Sequence, residues 1–225
     1  LADAHGCELI GGDTTQGPLN ICITVFGEVP PGDALLRSNA QAGDDIYLSG
    51  TVGDARLALE VFRGHLTLDA ASFTQARLRM EQPTPRVALG VALRAIAHAA
   101  IDVSDGLLGD LGHILQRSGV GAQIDTQWIQ NPGSFRDMPA GVSPWLATLP
   151  LAKRLEFALA GGDDYELCFT APVNQRELVH AAAWETDTPV VRIGRITAEP
   201  GLVVLDPQGQ VMNRRFASFD HFAAC

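Results

Sequence analysis

The stretch IDVSDGLLGD, Ile101–Asp110, joins an apolar run typical of a strand to a leucine-rich run with helical spacing. Asp102, Ser104 and Asp105 stand at the junction. One interpretation is that Ser104 or Asp105 caps the helix by accepting hydrogen bonds from its first N–H groups. Capping does not explain Asp102, because a carboxylate at the end of an apolar strand is costly unless it is paired or binds a metal. Oxygen ligands in a strand-to-helix turn suit Mg²⁺, which usually takes one or two carboxylates and shares phosphate oxygens.

Two other loops combine glycines with acidic residues in the same way. GGDTT, Gly11–Thr15, carries Asp13, and AGGDDYELCF, Ala160–Phe169, carries Asp163 and two further acids before a predicted strand. Glycine lets the backbone approach a ligand closely, and its N–H group can face a phosphate oxygen. Either loop alone is typical of a solvated turn. Three acidic loops beside strands instead favour a phosphate site that holds several metal ions.

Composition limits the classes of function. The chain has 225 residues, of which 46% are hydrophobic and 19% charged, as expected of a globular protein with a sizeable core. Its net charge of -10 argues against binding to nucleic acid or an anionic membrane surface. No apolar run approaches the roughly 20 residues that a membrane span needs. Four scattered cysteines predict a reducing, cytoplasmic environment rather than a disulfide framework.

Strands and helices are mixed without strict alternation, which predicts the α+β class. Pro30, Pro31 and Gly32 mark the predicted domain boundary, between residues 1–31 and 32–225. Asn20–Val29 is β-branched and apolar enough for a buried strand. Further strands are predicted at DIYLSG, AAIDVSD, GAQID, LCFTA, VVRIGRI and GLVVLD. Helices are predicted at 86–98, 106–119, 151–159 and 174–185, and TVGDARLALEVF also has apolar residues at helical spacing.

Several familiar catalytic patterns are absent from the sequence. The six histidines show no H-E-x-x-H spacing, and there is no G-x-S-x-G, Walker A or G-x-G-x-x-G motif. Any nucleotide must therefore be held by another scheme. Arg37 could pair with a phosphate, although a surface arginine is an equally good interpretation.

Five blocks, taken in order, carry a family resemblance: GGDTTQG, ALLRSNAQAGDDIYLSGTVGDA, IDVSDGLLGDL, LAGGDDYELCF and the closing FDHF. Together they resemble the thiamine-monophosphate kinase family, in the superfamily of aminoimidazole ribonucleotide synthetase. The resemblance implies a two-domain α+β fold, with 1–31 as a remnant of the N-terminal ATP- and Mg-binding domain and 32–225 as the C-terminal domain. It implies ATP-dependent phosphorylation of thiamine monophosphate to thiamine diphosphate, several Mg²⁺ ions, and a homodimer in the complete protein.

The resemblance also implies roles for individual residues. Asp13, Asp102 and Asp105 would bind Mg²⁺; Gly12, Asp13, Arg37 and Ser104 would lie along ATP; and Asp163 and Phe219 would face the substrate. The family commonly has glutamate at the position of Asp163 and a larger aromatic residue at that of Phe219. Its N-terminal acidic motifs are not found here, so we expect this chain to correspond to about the last two-thirds of the family's length.

A direct transfer between two phosphates needs alignment and charge neutralisation more than a general base. The lack of a convincing catalytic histidine fits this mechanism. Two alternatives remain open at this point: another ATP-dependent enzyme of the same superfamily with a different acceptor, and a non-catalytic nucleotide-binding fragment. A substrate panel would separate the first from a thiamine-monophosphate kinase, and ATP binding without turnover would indicate the second.

Overall fold

The structure is a computed structural model that describes residues 2–214 and 216, and the chain divides into two units, 1–34 and 35–225. In the first unit a 3-10 turn covers Asp3–His5 and the rest is irregular. The prediction of a buried strand at Asn20–Val29 is wrong, because the segment forms no strand and Phe26 is 80% exposed. A strand needs a neighbour for its backbone hydrogen bonds, and no described residue pairs with this segment as a strand.

The second unit is built on a six-stranded sheet in the order β2-β6-β1-β7-β3-β8. Neighbouring strands are antiparallel, except for the parallel pair β3 and β8. A separate antiparallel hairpin is formed by β4 and β5. The strands are β1 Asp45–Ser49, β2 Ala99–Val103, β3 Gly121–Asp125, β4 Gly133–Phe135, β5 Met138–Ala140, β6 Glu166–Ala171, β7 Val190–Thr197 and β8 Gly201–Leu205.

Eight α-helices connect or cover the strands in the described part of the chain. They are α1 Asp54–Phe62, α2 Ala70–Glu81, α3 Val87–Ala92, α4 Leu107–Ser118, α5 Gln127–Gln130, α6 Pro144–Ala147, α7 Leu151–Ala160 and α8 Arg176–Glu185. None of the helices in the described residues is long and apolar enough to cross a membrane. The mixture of a largely antiparallel sheet with separate helices confirms the predicted α+β class.

The sheet has an apolar core on each face because successive strand side chains point to opposite sides. In β1, Ile46 and Leu48 join the larger core, to which α1, α4 and α7 contribute. Tyr47, between them, joins a smaller core with α3 and α8, where it stacks on Phe169 at 5.2 Å between ring centroids. The central strands therefore lie in fixed register between two layers of helices.

Helix α4 follows the predicted pattern closely. Its buried stripe consists of Leu107, Leu108, Leu111, Ile114 and Leu115. The helix ends at Ser118 and is capped by Gly119, which has a left-handed backbone (φ 69°) and donates its N–H to the Leu115 carbonyl. The stripe anchors the helix on the larger core, so the start of α4 is held at the end of β2.

Three segments differ from the sequence predictions. The helix predicted over 86–98 ends at Ala92 and continues as a 3-10 turn to Ala95. Helix α2 was not predicted; its only buried residue is Ala76, so it lacks a clear apolar stripe. The β4–β5 hairpin was not among the predicted strands.

Candidate functional site

The loop between β2 and α4 is held by Asp110. Its Oδ2 accepts hydrogen bonds from the backbone N–H groups of Ser104, Asp105 and Gly106 at 3.0, 3.0 and 3.1 Å. The N-cap position of α4 is Gly106, so neither Ser104 nor Asp105 occupies that position itself. The Asp110 carboxylate, one turn into the helix, bonds the N–H groups that precede the helix, and Ser104 and Asp105 are half-buried at the turn.

Asp102 lies beside Arg37, as two candidates for one phosphate site should. The Arg37 Nη2 and Asp102 Oδ1 atoms are 3.9 Å apart, and both side chains are more than half exposed. The inference that Asp102 is a costly buried carboxylate is therefore wrong, because its side chain is on the open side of the edge strand β2. Arg37 is brought there by its neighbours: Leu36 forms a parallel bridge with Ala99, and the Arg37 carbonyl accepts from the Ser118 hydroxyl.

The third acidic loop, 161–165, docks directly on the first. The N–H of Asp163 donates to the Ser104 carbonyl and the N–H of Tyr165 to the Val103 carbonyl, both at 2.8 Å. Gly162 permits this approach, since a Cβ there would lie 2.8 Å from the Ser104 oxygen. Asp163 and Tyr165 have positive φ angles of 61° and 50°, a conformation that costs free energy in residues other than glycine. Strain of this kind is common in ligand-binding loops.

Two buried carboxylates on either side of Tyr165 anchor the 161–165 loop. Asp164 is 3% exposed and accepts from the Gly53 N–H, while Glu166 is fully buried. Glu166 receives the Ser49 hydroxyl and the guanidinium groups of two arginines, Arg79 and Arg86. Burial raises the pKa of Asp164 well above its usual value, against the bond from Gly53.

The acidic side chains of both loops affect the pKa of Tyr165. Burial is the main cause that raises its pKa, followed by the negative charges of Asp163, Asp102 and Asp105. The tyrosine hydroxyl also donates to Asp163 Oδ1 at 3.3 Å. Two predicted metal ligands, Asp102 and Asp105, and the predicted substrate-facing Asp163 thus lie on two loops that contact each other. With Arg37 and Ser104 they form what we call the acidic face: Arg37, Asp102, Ser104, Asp105 and Asp163.

The other predicted site residues lie elsewhere. Gly12 and Asp13 belong to the first unit, where both are exposed and the Asp13 carboxylate accepts from the Thr14 N–H at 2.8 Å. Phe219 lies outside the described residues.

The described residues contain no group of three or more His, Cys, Asp or Glu side chains placed to hold a metal ion. The acidic face nonetheless has the donor chemistry of a Mg²⁺ site. Its carboxylates and hydroxyl group offer oxygen atoms as metal ligands, and Mg²⁺ commonly combines one or two carboxylates with water and substrate phosphates. The assignment of Mg²⁺ to this face stays a prediction.

Comparison with known proteins defines the class of this fold and site. Residues 41–206 match the model of the C-terminal domain of AIR synthase related proteins. The chain therefore belongs to the family of AIR synthase related proteins.

Within this family the chain is similar to thiamine-monophosphate kinases, which confirms the resemblance seen in the sequence. The enzyme of Salmonella typhimurium is 39% identical over 99% of this chain and 66% of its own length. The crystal structure of the Stenotrophomonas maltophilia enzyme has 45% identity and a TM-score of 0.70, covering 82% of this chain and 56% of that one. AaThiL complexed with AMPPCP and TMP has 28% identity and a TM-score of 0.62, covering 84% and 54%. The chain thus spans about two-thirds of the length of the curated relatives it matches.

Proposed function

We propose that this chain is part of an enzyme that transfers the terminal phosphoryl group of ATP to thiamine monophosphate, giving thiamine diphosphate. The observation that carries the proposal is the acidic face, where backbone hydrogen bonds join the loop that carries Asp102 and Asp105 to the loop that carries Asp163. The similarity to thiamine-monophosphate kinases, one of them complexed with AMPPCP and TMP, supports both ligands.

In this proposal different residues of the acidic face contact ATP and the thiamine substrate. Arg37 would pair with an ATP phosphate, exchanging its long 3.9 Å contact with Asp102 for a shorter charge-assisted bond. The Ser104 hydroxyl would hydrogen-bond the same phosphate chain. Asp163, exposed and next to a strained backbone, would face the cationic or hydrogen-bonding part of the thiamine substrate.

Asp102 and Asp105 would hold Mg²⁺, with Asp13 as a further ligand. The ion would neutralise phosphate charge that an acidic protein otherwise repels. The acceptor oxygen of thiamine monophosphate is ionised near neutral pH, so the chain need not supply a general base. What the protein would contribute is alignment, which the hydrogen bonds between the two loops support. Homodimer formation, the cytoplasmic location and the role of Phe219 remain predictions.

The test is formation of thiamine diphosphate from ATP and thiamine monophosphate by the protein that carries this chain, followed by chromatography at several Mg²⁺ concentrations. Asp102→Asn keeps the side-chain shape and removes the charge. We expect it to lower turnover by at least about 100-fold, since a positioned charge in phosphoryl transfer is worth about 3 kcal/mol or more.

Asp187→Asn is the matched control. Asp187 is also an exposed aspartate paired with an arginine, Arg136 at 2.9 Å, but it lies outside the acidic face. Its replacement should leave the rate unchanged. Wild-type turnover in Asp102→Asn would overturn the metal assignment, and absence of thiamine diphosphate with the wild-type protein would overturn the proposed reaction.

A further inference from the structure

A second polar cleft lies away from the acidic face. It has a volume of about 420 Å³ and is lined by β1, β3 and β7 and by the beginning of α8. Three arginines reach it, Arg176 from α8 and Arg192 and Arg195 from β7. We call it the arginine cleft. None of its lining residues belongs to the acidic face, whose strand β2 is separated from β1 in the sheet by β6.

A β-bulge brings two of these arginines together. Residues three apart in a regular strand point to opposite faces of the sheet. Here Arg195 pairs with Asp45 and Arg192 pairs with Tyr47, so both arginines lie on the same face of the sheet. The register shift between Ile46 and Tyr47 inserts one extra residue in β7 and restores this alignment. Bulges that redirect a side chain in this way recur beside binding sites.

The Asp45 carboxylate orients the guanidinium groups of Arg176 and Arg192. It is 2% exposed and accepts from Arg176 at 2.6 and 3.0 Å and from Arg192 at 3.2 Å. Burial alone would raise the pKa of Asp45, but the bonds from the two arginines lower it below its usual value. The carboxylate is therefore ionised and its charge is already matched, so it acts as a support for the arginines.

Arg195 supplies the positive charge that remains. Its Nε and Nη2 donate to the Gln123 side-chain oxygen at 2.9 and 2.7 Å, which fixes the guanidinium plane. Within the described residues it makes no ion pair with a carboxylate. The lining has three arginines and two aspartates, Asp45 and Asp125, a surplus of one positive charge in a chain of net charge -10.

We propose that the arginine cleft binds a small phosphate-bearing anion, at a site separate from the proposed catalytic one. Arginine forks match phosphate oxygens in pairs, and orientation before binding reduces the entropy lost on association. The volume is that of a site for a small organic ligand rather than a bare ion. The ligand class is therefore a phosphate ester, for which inorganic phosphate and pyrophosphate are the simplest probes.

The experiment is a titration of the 225-residue chain with phosphate and with pyrophosphate, in the presence of EDTA and at constant ionic strength. Binding is followed by amide NMR shifts, of Gly194 in particular, which lies in the cleft. We expect saturable binding that Arg195→Gln weakens by about tenfold or more, the usual effect of losing a hydrogen bond between charged groups. Acetate should bind more weakly than phosphate.

Three variants separate the possible outcomes. Arg117→Gln removes an exposed arginine from α4, outside the cleft, and should leave binding unchanged. Arg37→Gln tests the acidic face: loss of phosphate binding in this variant, with Arg195→Gln unaffected, would move the anion to the acidic face and overturn the proposal. Absence of saturable binding, equal binding of acetate, or an equal loss in Arg117→Gln would overturn it as well. Failure of the kinase reaction leaves these outcomes unaffected, because no ATP, thiamine monophosphate or metal is present.

Discussion

Replacing Asp110 by alanine would remove the acceptor that holds the β2–α4 loop. One oxygen accepts three backbone N–H groups, and the residue is 3% exposed. The N–H groups of half-buried Ser104 and Asp105 can turn to water at about 1 kcal/mol each, whereas the buried Gly106 N–H costs about 1–3 kcal/mol. The sum is about 3–5 kcal/mol.

Burial works against part of this sum. It raises the pKa of Asp110 despite the three bonds, so removing the charge recovers some of the burial cost. We therefore expect a loss near the low end, about 3 kcal/mol of the 5–15 kcal/mol typical of a domain. Urea unfolding of the 225-residue chain, followed by circular dichroism, measures the loss.

Asp125→Ala is the control for removing an aspartate that bonds the backbone. Asp125 is exposed and accepts one N–H, from Gln127 at 2.7 Å, so its loss should cost about 1 kcal/mol or less. Equal losses in the two variants, or a change below about 0.5 kcal/mol in Asp110→Ala, would refute the argument that three shared bonds hold the loop.

Two further predictions concern the buried carboxyl groups Glu166 and Asp164. Gly50→Ala should lower the free energy of unfolding by about 3 kcal/mol or more, because φ is 55° and the methyl group would overlap the Glu166 carboxylate. Gly209→Ala is the control: with φ 77° and open space around it, it should cost only about 1 kcal/mol in the same urea assay, and similar losses in the two variants would contradict the overlap. Asp164 has a raised pKa in the folded state, so the folded protein holds a proton on this carboxyl group that the unfolded chain releases at lower pH. The stability that this proton contributes is lost as pH rises from the unfolded pKa of 3.8 through the folded pKa. Asp164→Asn mimics the protonated form, so its stability relative to wild type should improve between pH 4 and neutral pH; a difference that is constant, or that falls, would contradict the buried charge.

Local patterns predicted much of the fold because those elements bury one continuous stripe. The leucines of α4 repeat at helical spacing, and β1 alternates between two cores, so each is visible within about ten residues of sequence. Helix α2 has only Ala76 buried and gives no such signal. The strand predicted at Asn20–Val29 has the right residues, but strand formation also needs a partner, which a local pattern cannot supply.

The candidate site was predictable to the level of which loops form it, and less so for the role of each acid. Asp102 and Asp105 were predicted as metal ligands and Asp163 as a substrate-facing residue, and backbone hydrogen bonds join the two loops that carry them. The role of Asp110 was missed, although an acid four residues after Gly106 is a local signal that could have suggested it. The partners of Asp164 and Glu166, by contrast, are 111 and 87 residues away in the chain, at Gly53 and Arg79.

The 161–165 loop shows why neighbouring acids take opposite roles. Exposure alternates along the chain: Asp163 and Tyr165 are exposed, and Asp164 and Glu166 are buried. The two buried carboxyl groups bond fixed partners inside the protein, next to the strained backbone of Asp163 and Tyr165. Bonds that fix the loop before a ligand arrives reduce the conformational entropy lost when Asp163 meets it. The acids that the sequence shows as one cluster are thus two sets, and only the exposed set is available for chemistry.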